Sequence, residues 1–145
     1  MKILSLLFLT LFLSKSCEGD TQRKIEAAQL IYTANSRGFH QEIIIEKHYA
    51  NIKNDRKGKP TQIKISDADW KEFIRLFKDV DLDKIKDLKS PTEKRFYDGA
   101  AIANLKINYE GKSYESQSFD HGFPPDAIKK IVTKINSFAK QNNEN

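Results

Sequence analysis

Cysteine, tryptophan and methionine each occur once in this chain, and histidine occurs only three times. A single cysteine, Cys17, means that no disulfide can form within the chain. The zinc spacings of cysteine with histidine are absent, and so are His-Glu-x-x-His, Gly-x-Ser-x-Gly and the phosphate-binding loop. The sequence therefore excludes a disulfide scaffold and carries none of these common catalytic signatures.

Long hydrophobic runs are also missing. The longest uncharged apolar run covers residues 3–13, whereas a helix that crosses a bilayer needs about 20 apolar residues. Lys2 precedes this run, and the small residues Ser14 and Ser16 follow it. A basic start, a short apolar core and small residues before a cleavage point are typical of a secretory signal peptide. We predict that residues 1–16 are this signal peptide.

Cys17 directly follows the predicted signal peptide. The arrangement resembles the lipobox of bacterial lipoproteins, in which the cysteine is diacylated and becomes the first residue of the mature chain. Ser14 and Lys15 depart from the usual lipobox residues, so an ordinary secretory signal and a buried free thiol remain alternatives. The resemblance implies lipidation of Cys17 and a membrane-anchored protein of the bacterial cell envelope, at the periplasmic or surface face of the outer membrane.

The mature chain has a nearly balanced charge. Residues 1–16 hold two of the 25 Lys and Arg and none of the 20 Asp and Glu, which leaves a net charge of about +3. A nucleic-acid-binding protein concentrates its basic residues on one stripe, so no nucleic-acid partner is expected. We predict a polar tether over residues 17–24, a single domain over 25–140 and a polar tail over 141–145.

Apolar periodicity predicts two groups of strands, each followed by a helix. Strand-like patterns cover residues 25–35, 41–52 and 61–65, and a second set covers 101–109 and 112–119. Ser66 is a predicted N-cap for a helix with Trp70, Phe73 and Phe77 on one face. Residues 124–125, both proline, open the last helix. Strands grouped before helices predict an α+β fold, an antiparallel sheet with two amphipathic helices on one face, in the order ββ(ββ)α-ββα.

Two segments, residues 94–101 and 118–125, resemble an uncharacterised family of small envelope lipoproteins of the Bacteroidota type. The topology is loosely similar to PepSY and β-lactamase-inhibitor-protein-like domains. The resemblance implies a location and a fold, and it implies no activity.

One cluster of polar residues could form a site. If Glu110 and Gly111 make a two-residue turn, hairpin geometry brings Asp98 beside Asp120 and His121. Two further residues lie just upstream, Arg95 and Tyr97. Two acids and an imidazole could hold a divalent cation of unknown identity or act as acid and base, or could serve only as turn residues that accept backbone hydrogen bonds.

The prediction for function is a lipid-anchored domain that binds an envelope protein or peptide and is not an enzyme, with no cofactor. One alternative is a metal-assisted hydrolase that uses Asp98, Asp120 and His121. Another is a structural envelope protein without a discrete ligand. Binding could take place at the open end of the predicted hairpin or on the sheet face away from the helices. The candidate aromatic and histidine residues for the sheet face are Tyr32, Phe39, His40, His48 and Tyr49.

Overall fold

The computed structural model describes residues 16–143. The predicted signal peptide before Ser16, the side chain of Cys17 and residues 144–145 lie outside this description. No helix in the described range is long and apolar enough to cross a membrane.

One antiparallel sheet forms the framework, with the strand order β4-β3-β2-β1-β5-β6 and with β7 also paired to β5. The strands are β1 Gln29–Asn35, β2 His40–Glu46, β3 Tyr49–Lys53, β4 Thr61–Lys64, β5 Ile102–Tyr109, β6 Lys112–Glu115 and β7 Phe119–Asp120.

Within residues 16–143, three α-helices accompany the sheet: α1 Ser16–Glu26, α2 Asp67–Lys78 and α3 Asp126–Asn143. Two 3₁₀ helices, Leu82–Asp87 and Lys94–Tyr97, lie between α2 and β5. The Ser66 side chain accepts a hydrogen bond from the Asp69 amide and caps α2 as predicted.

The core lies between one face of the sheet and the helices. Alternate residues of β1, β2 and β5 are fully buried, because successive side chains of a strand point to opposite faces. Phe73 and Phe77 of α2 and Ile131 and Ile135 of α3 complete this core. The predicted α+β fold with an antiparallel sheet is therefore confirmed.

The segment expected to be a tether has a different structure. Residues 16–26 form α1, and β1 begins at Gln29 rather than at residue 25. Ile25 and Ala28 are buried against the core, and Lys24 pairs with Asp20 one turn earlier. The polar composition of this segment gave no apolar periodicity from which the helix could be predicted, because the helix makes only these few apolar contacts with the core. At the other end, α3 continues to Asn143, into the predicted tail.

The predicted strand over residues 41–52 is two strands, β2 and β3. They are joined at Lys47 and His48, which have φ angles of 49° and 66°. A two-residue hairpin turn of this kind needs positive φ at both central positions, which Asn and Gly usually supply. Neither residue is present here, so the sequence carried no signal for this turn.

Candidate functional site

The hairpin formed by β5, β6 and β7 positions the predicted cluster. The turn at Glu110 and Gly111 is confirmed, because Tyr109 pairs with Lys112. Between β6 and β7 the register shifts by one residue, so that Asp120 pairs with Ile102, whereas the uninterrupted hairpin predicted Ala101 as its partner. A one-residue bulge accounts for this shift.

Ser116 is the last residue that keeps the β6 register, and the extra residue of the bulge lies between Ser116 and Phe119. The Ser116 side-chain oxygen accepts a hydrogen bond from the Leu105 amide at 3.0 Å, and the Ser116 amide donates to the Leu105 carbonyl at 2.9 Å. Because of the extra residue, each later residue of the hairpin points to the face of the sheet opposite the one that uninterrupted pairing predicts. Phe119 therefore enters the core, Asp120 turns to the opposite face and His121 returns to the core side.

The 3₁₀ helix Lys94–Tyr97 covers Asp120, whose side chain is 0% exposed. Its Oδ2 accepts hydrogen bonds from Thr92 Oγ1 at 2.5 Å and from the Lys94 amide at 2.6 Å. Its Oδ1 accepts from the Arg95 amide and from Arg95 Nη1, both at 3.0 Å. Each carboxylate oxygen thus already receives two hydrogen bonds from the protein.

These contacts fix the charge of Asp120. Burial alone raises the pKa of a carboxyl group, but the hydrogen bonds from Thr92, Arg95 and Lys94 outweigh burial and lower the pKa of Asp120 to about 2. The Arg95 side chain, only 9% exposed, neutralises the carboxylate. This pair fastens the segment after Ser90 to the sheet.

The other predicted members of the cluster point elsewhere. Asp98 ends the 3₁₀ helix in the left-handed conformation, with φ of 58°, and is exposed. The Tyr97 side chain is 72% exposed. A side chain at Gly99 would meet the Tyr97 ring at 3.0 Å and the Lys94 carbonyl at 3.2 Å, so glycine permits this tight exit from the helix.

His121 is half-buried at the edge of the core. Its Nδ1 lies 2.7 Å from the hydroxyl of Tyr32, and its ring centroid lies 5.0 Å from that of Phe39. Burial lowers the pKa of His121, so the imidazole favours its neutral form.

The residues predicted for metal-assisted hydrolysis do not converge. Asp120 and His121 lie on opposite faces of the sheet, and Asp98 is exposed beyond the 3₁₀ helix. Among the described residues, no group of three or more His, Cys, Asp or Glu side chains could hold a metal ion. The arrangement suits a structural clamp around Asp120 and leaves His121 as a separate feature.

The sheet face away from the helices is mainly polar. Asn108 donates to Gln29, and Gln29 donates to Glu46, in a chain of hydrogen bonds across three strands. Of the five aromatic and histidine residues predicted for this face, His40 and Tyr49 lie on it. Tyr32 is buried in the core, Phe39 is in the β1–β2 turn and His48 stacks on Trp70.

A different surface carries the exposed apolar side chains. We call it the apolar end, and it consists of Phe39, Phe96, Tyr97, Ile102 and Phe123. These are five of the six large hydrophobic residues exposed in the described structure, the sixth being Tyr49. Asn35 pairs with His40 and with Ile102, and Ile102 pairs with Asp120, so the loops that carry these side chains meet at one end of the sheet.

Basic side chains surround the apolar end. Lys94 Nζ lies 4.1 Å from the Phe123 ring centroid, and the Arg95 guanidinium lies 4.3 Å from that of Phe96. Arg56 donates hydrogen bonds to the carbonyls of Ser36 and Arg37. The β1–β2 turn and the β3–β4 loop thereby enclose a cleft of about 450 Å³ whose lining includes Arg37, Arg56 and Lys57.

Sequence reasoning missed the apolar end as a unit. Phe39 lies in the β1–β2 turn, Phe96 in the 3₁₀ helix Lys94–Tyr97 and Phe123 in the turn after β7. Only the pairing of β1, β5 and β7 brings these three segments together. The sequence did contain one signal for this surface, the adjacent aromatic residues Phe96 and Tyr97. They lie in a segment without apolar periodicity, so no core-facing side was predicted for them.

The chain matches no protein-family model, and no curated protein or solved structure is significantly similar to it.

Proposed function

We propose that this protein is a lipid-anchored component of a bacterial cell envelope and that its domain binds an envelope protein or peptide through the apolar end. The observation that supports binding most directly is the gathering of five exposed apolar side chains at one end of the sheet. Apolar side chains clustered in this way on a soluble domain are typical of interaction sites. The exposed basic side chains beside them, Arg37, Arg56 and Lys57, favour a partner with acidic groups, whereas Arg95 is already neutralised by Asp120.

The position of the anchor supports a partner away from the anchoring membrane. The C-terminal turn of α1 meets the β5–β6 turn, where Lys24 Nζ lies 3.1 Å from Glu110. The apolar end lies beyond the other end of β1, whose seven residues span about 20 Å. Because residues 16–26 are helical, a lipid on Cys17 lies one short helix away from the end of the sheet opposite the partner surface.

The anchor is tested by Cys17→Ala. We expect the variant to move from the membrane fraction to the soluble fraction and to lose labelling by a fatty-acid analogue, because two acyl chains are needed for stable anchoring. A variant that stays with the membrane and keeps the label would contradict the lipid-anchored function.

The binding surface is tested by photo-crosslinking in cells. A photoreactive amino acid at Phe96 or Tyr97 should give a discrete protein adduct, whereas the same amino acid at Tyr49, exposed at the far end of β3, should not. Both positions at the apolar end are 72% exposed, so the substitution leaves the core intact. Equal adducts from Tyr49, or none from either apolar position, would refute the assignment of this surface.

A further inference from the structure

A pocket lies beside the apolar end, between the turn that follows β7 and the middle of α3. It has a volume of about 270 Å³, which is small beside the sites that hold drug-sized ligands, roughly 300–1,000 Å³. The polar side chains that line it are His121, Thr133, Asn136 and Lys140. Pro124 and Val132 supply apolar surface.

A buried tyrosine orients the imidazole in this pocket. Tyr32 is 0% exposed, and burial raises its pKa to about 12, so its hydroxyl keeps its proton. The Asn136 side chain lies beside this hydroxyl and partly offsets the effect of burial on the pKa of Tyr32. His121 Nδ1 lies 2.7 Å from the hydroxyl oxygen, and the protonated hydroxyl can donate a hydrogen bond to this nitrogen.

Donation from the Tyr32 hydroxyl to Nδ1 would set the tautomer of His121. A neutral imidazole whose Nδ1 accepts a hydrogen bond carries its proton on Nε2. Asn136 is held on α3, because its side-chain nitrogen donates to the Val132 carbonyl at 3.0 Å.

The lining of the pocket presents donors and one positive charge. The Nε2–H of His121, the Thr133 hydroxyl and the Lys140 ammonium can all donate hydrogen bonds, and the described lining contains no Asp or Glu. A carboxylate accepts hydrogen bonds from such groups and is attracted by the ammonium. Pro124 and Val132 leave space for only a short apolar body.

We propose that this pocket binds a small carboxylate, with Lys140 providing the charge, His121 and Thr133 donating hydrogen bonds, and Val132 contacting the apolar part of the ligand. Tyr32 acts as a positioning element for His121 and does not itself touch the ligand, because it is not part of the pocket lining. The site is distinct from the apolar end, although Phe39 contacts His121 from that side.

Butyrate and its uncharged analogue butyramide are the probes. The mature chain, residues 17–145 with Cys17→Ala, is titrated with each while the histidine ring signals are followed by NMR. His121→Gln assigns the His121 signal. We expect butyrate to shift it in a saturable manner and butyramide to leave it unchanged.

Two lysine variants identify the source of the charge. Lys140→Met should weaken butyrate binding at least about tenfold, as expected when a hydrogen bond to a charged group is lost. Lys129→Met is the matched control, because Lys129 is exposed on the same helix but does not line the pocket, and it should leave the affinity unchanged.

Three results would each overturn the proposal: no saturable shift with butyrate up to tens of millimolar, an equal response to butyramide, or an unchanged affinity in Lys140→Met. None of them bears on the anchor or on crosslinking at the apolar end, so failure of this site and failure of the proposed function are distinguishable.

Discussion

Asp120 is the residue on which the hairpin and the 3₁₀ helix Lys94–Tyr97 depend together. Its carboxylate accepts four hydrogen bonds and is buried beside Arg95. Asp120→Asn would leave the Arg95 charge buried without a counter-charge, so we expect the free energy of unfolding to fall by about 3 kcal/mol. Denaturant unfolding measures this change.

Asp98→Asn is the control for that measurement. Asp98 is exposed and left-handed, and Asn tolerates this conformation, so its effect should stay within about 0.5 kcal/mol. Equal effects of the two substitutions would show that Asp120 is not the clamp.

His121 should make stability depend on pH. Burial lowers its pKa below the ordinary 6.5, so the unfolded chain takes up a proton at higher pH than the folded chain. Stability is therefore full above about pH 6.5 and is lost as the pH falls towards the lower pKa of the folded state. Denaturant unfolding at about pH 7.5 and about pH 5.5 should show a larger loss for the parent than for His121→Gln. Equal losses would contradict the expected shift.

The sequence predicted which residues lie close together near the hairpin. It did not predict which face of the sheet each side chain occupies. Asp120 does lie near Arg95, as the hairpin geometry indicated. The partition of Asp120 and His121 between two faces depends on the Ser116 bulge. A serine in a strand is a common residue, and nothing in its neighbours distinguishes a bulge from regular pairing.

At the scale of the element, α2 and α3 were predictable because their apolar spacing repeats over several turns. Their buried faces include Phe73, Phe77, Ile131 and Ile135, as expected. Helix α1 was not predictable in this way, since Ile25 is its one buried apolar residue in the described structure. The β2–β3 turn at Lys47 and His48 was hidden for a similar reason, because no turn residue marks it.

The helical state of α1 can be tested with Gln22→Pro. Proline within a helix removes an amide donor and clashes with the preceding turn, at a cost of about 3 kcal/mol. We expect amide hydrogen exchange of residues 20–26 to lose its protection in this variant, while Gln22→Ala keeps it. A flexible tether would show no protection in the parent, and the proline would then change nothing.

At the scale of the whole molecule, the proposed anchor on Cys17 and the apolar end define a direction. Tryptophan fluorescence in vesicles with brominated lipids can measure it, because bromine quenches only nearby indoles. In the lipidated protein, Gln22→Trp in α1 should gain a quenched component over the Trp70 background, whereas Tyr97→Trp should gain an unquenched one. Quenching at Tyr97→Trp would mean that the apolar end rests on the anchoring membrane and not on a protein partner.

The Ser116 bulge also governs how this chain can vary in length. Inserting one further residue in 116–118 while the one-residue bulge is kept would pair Asp120 with Ala101 instead of Ile102, turning the Asp120 carboxylate towards the core and His121 away from Tyr32. The β3–β4 loop, residues 54–60, contains no strand residues whose side chains alternate between the two faces of the sheet. It packs mainly against the β1–β2 turn. Natural or engineered insertions should therefore accumulate in residues 54–60 and be rejected in residues 116–118, and a library of single-residue insertions would display that contrast directly.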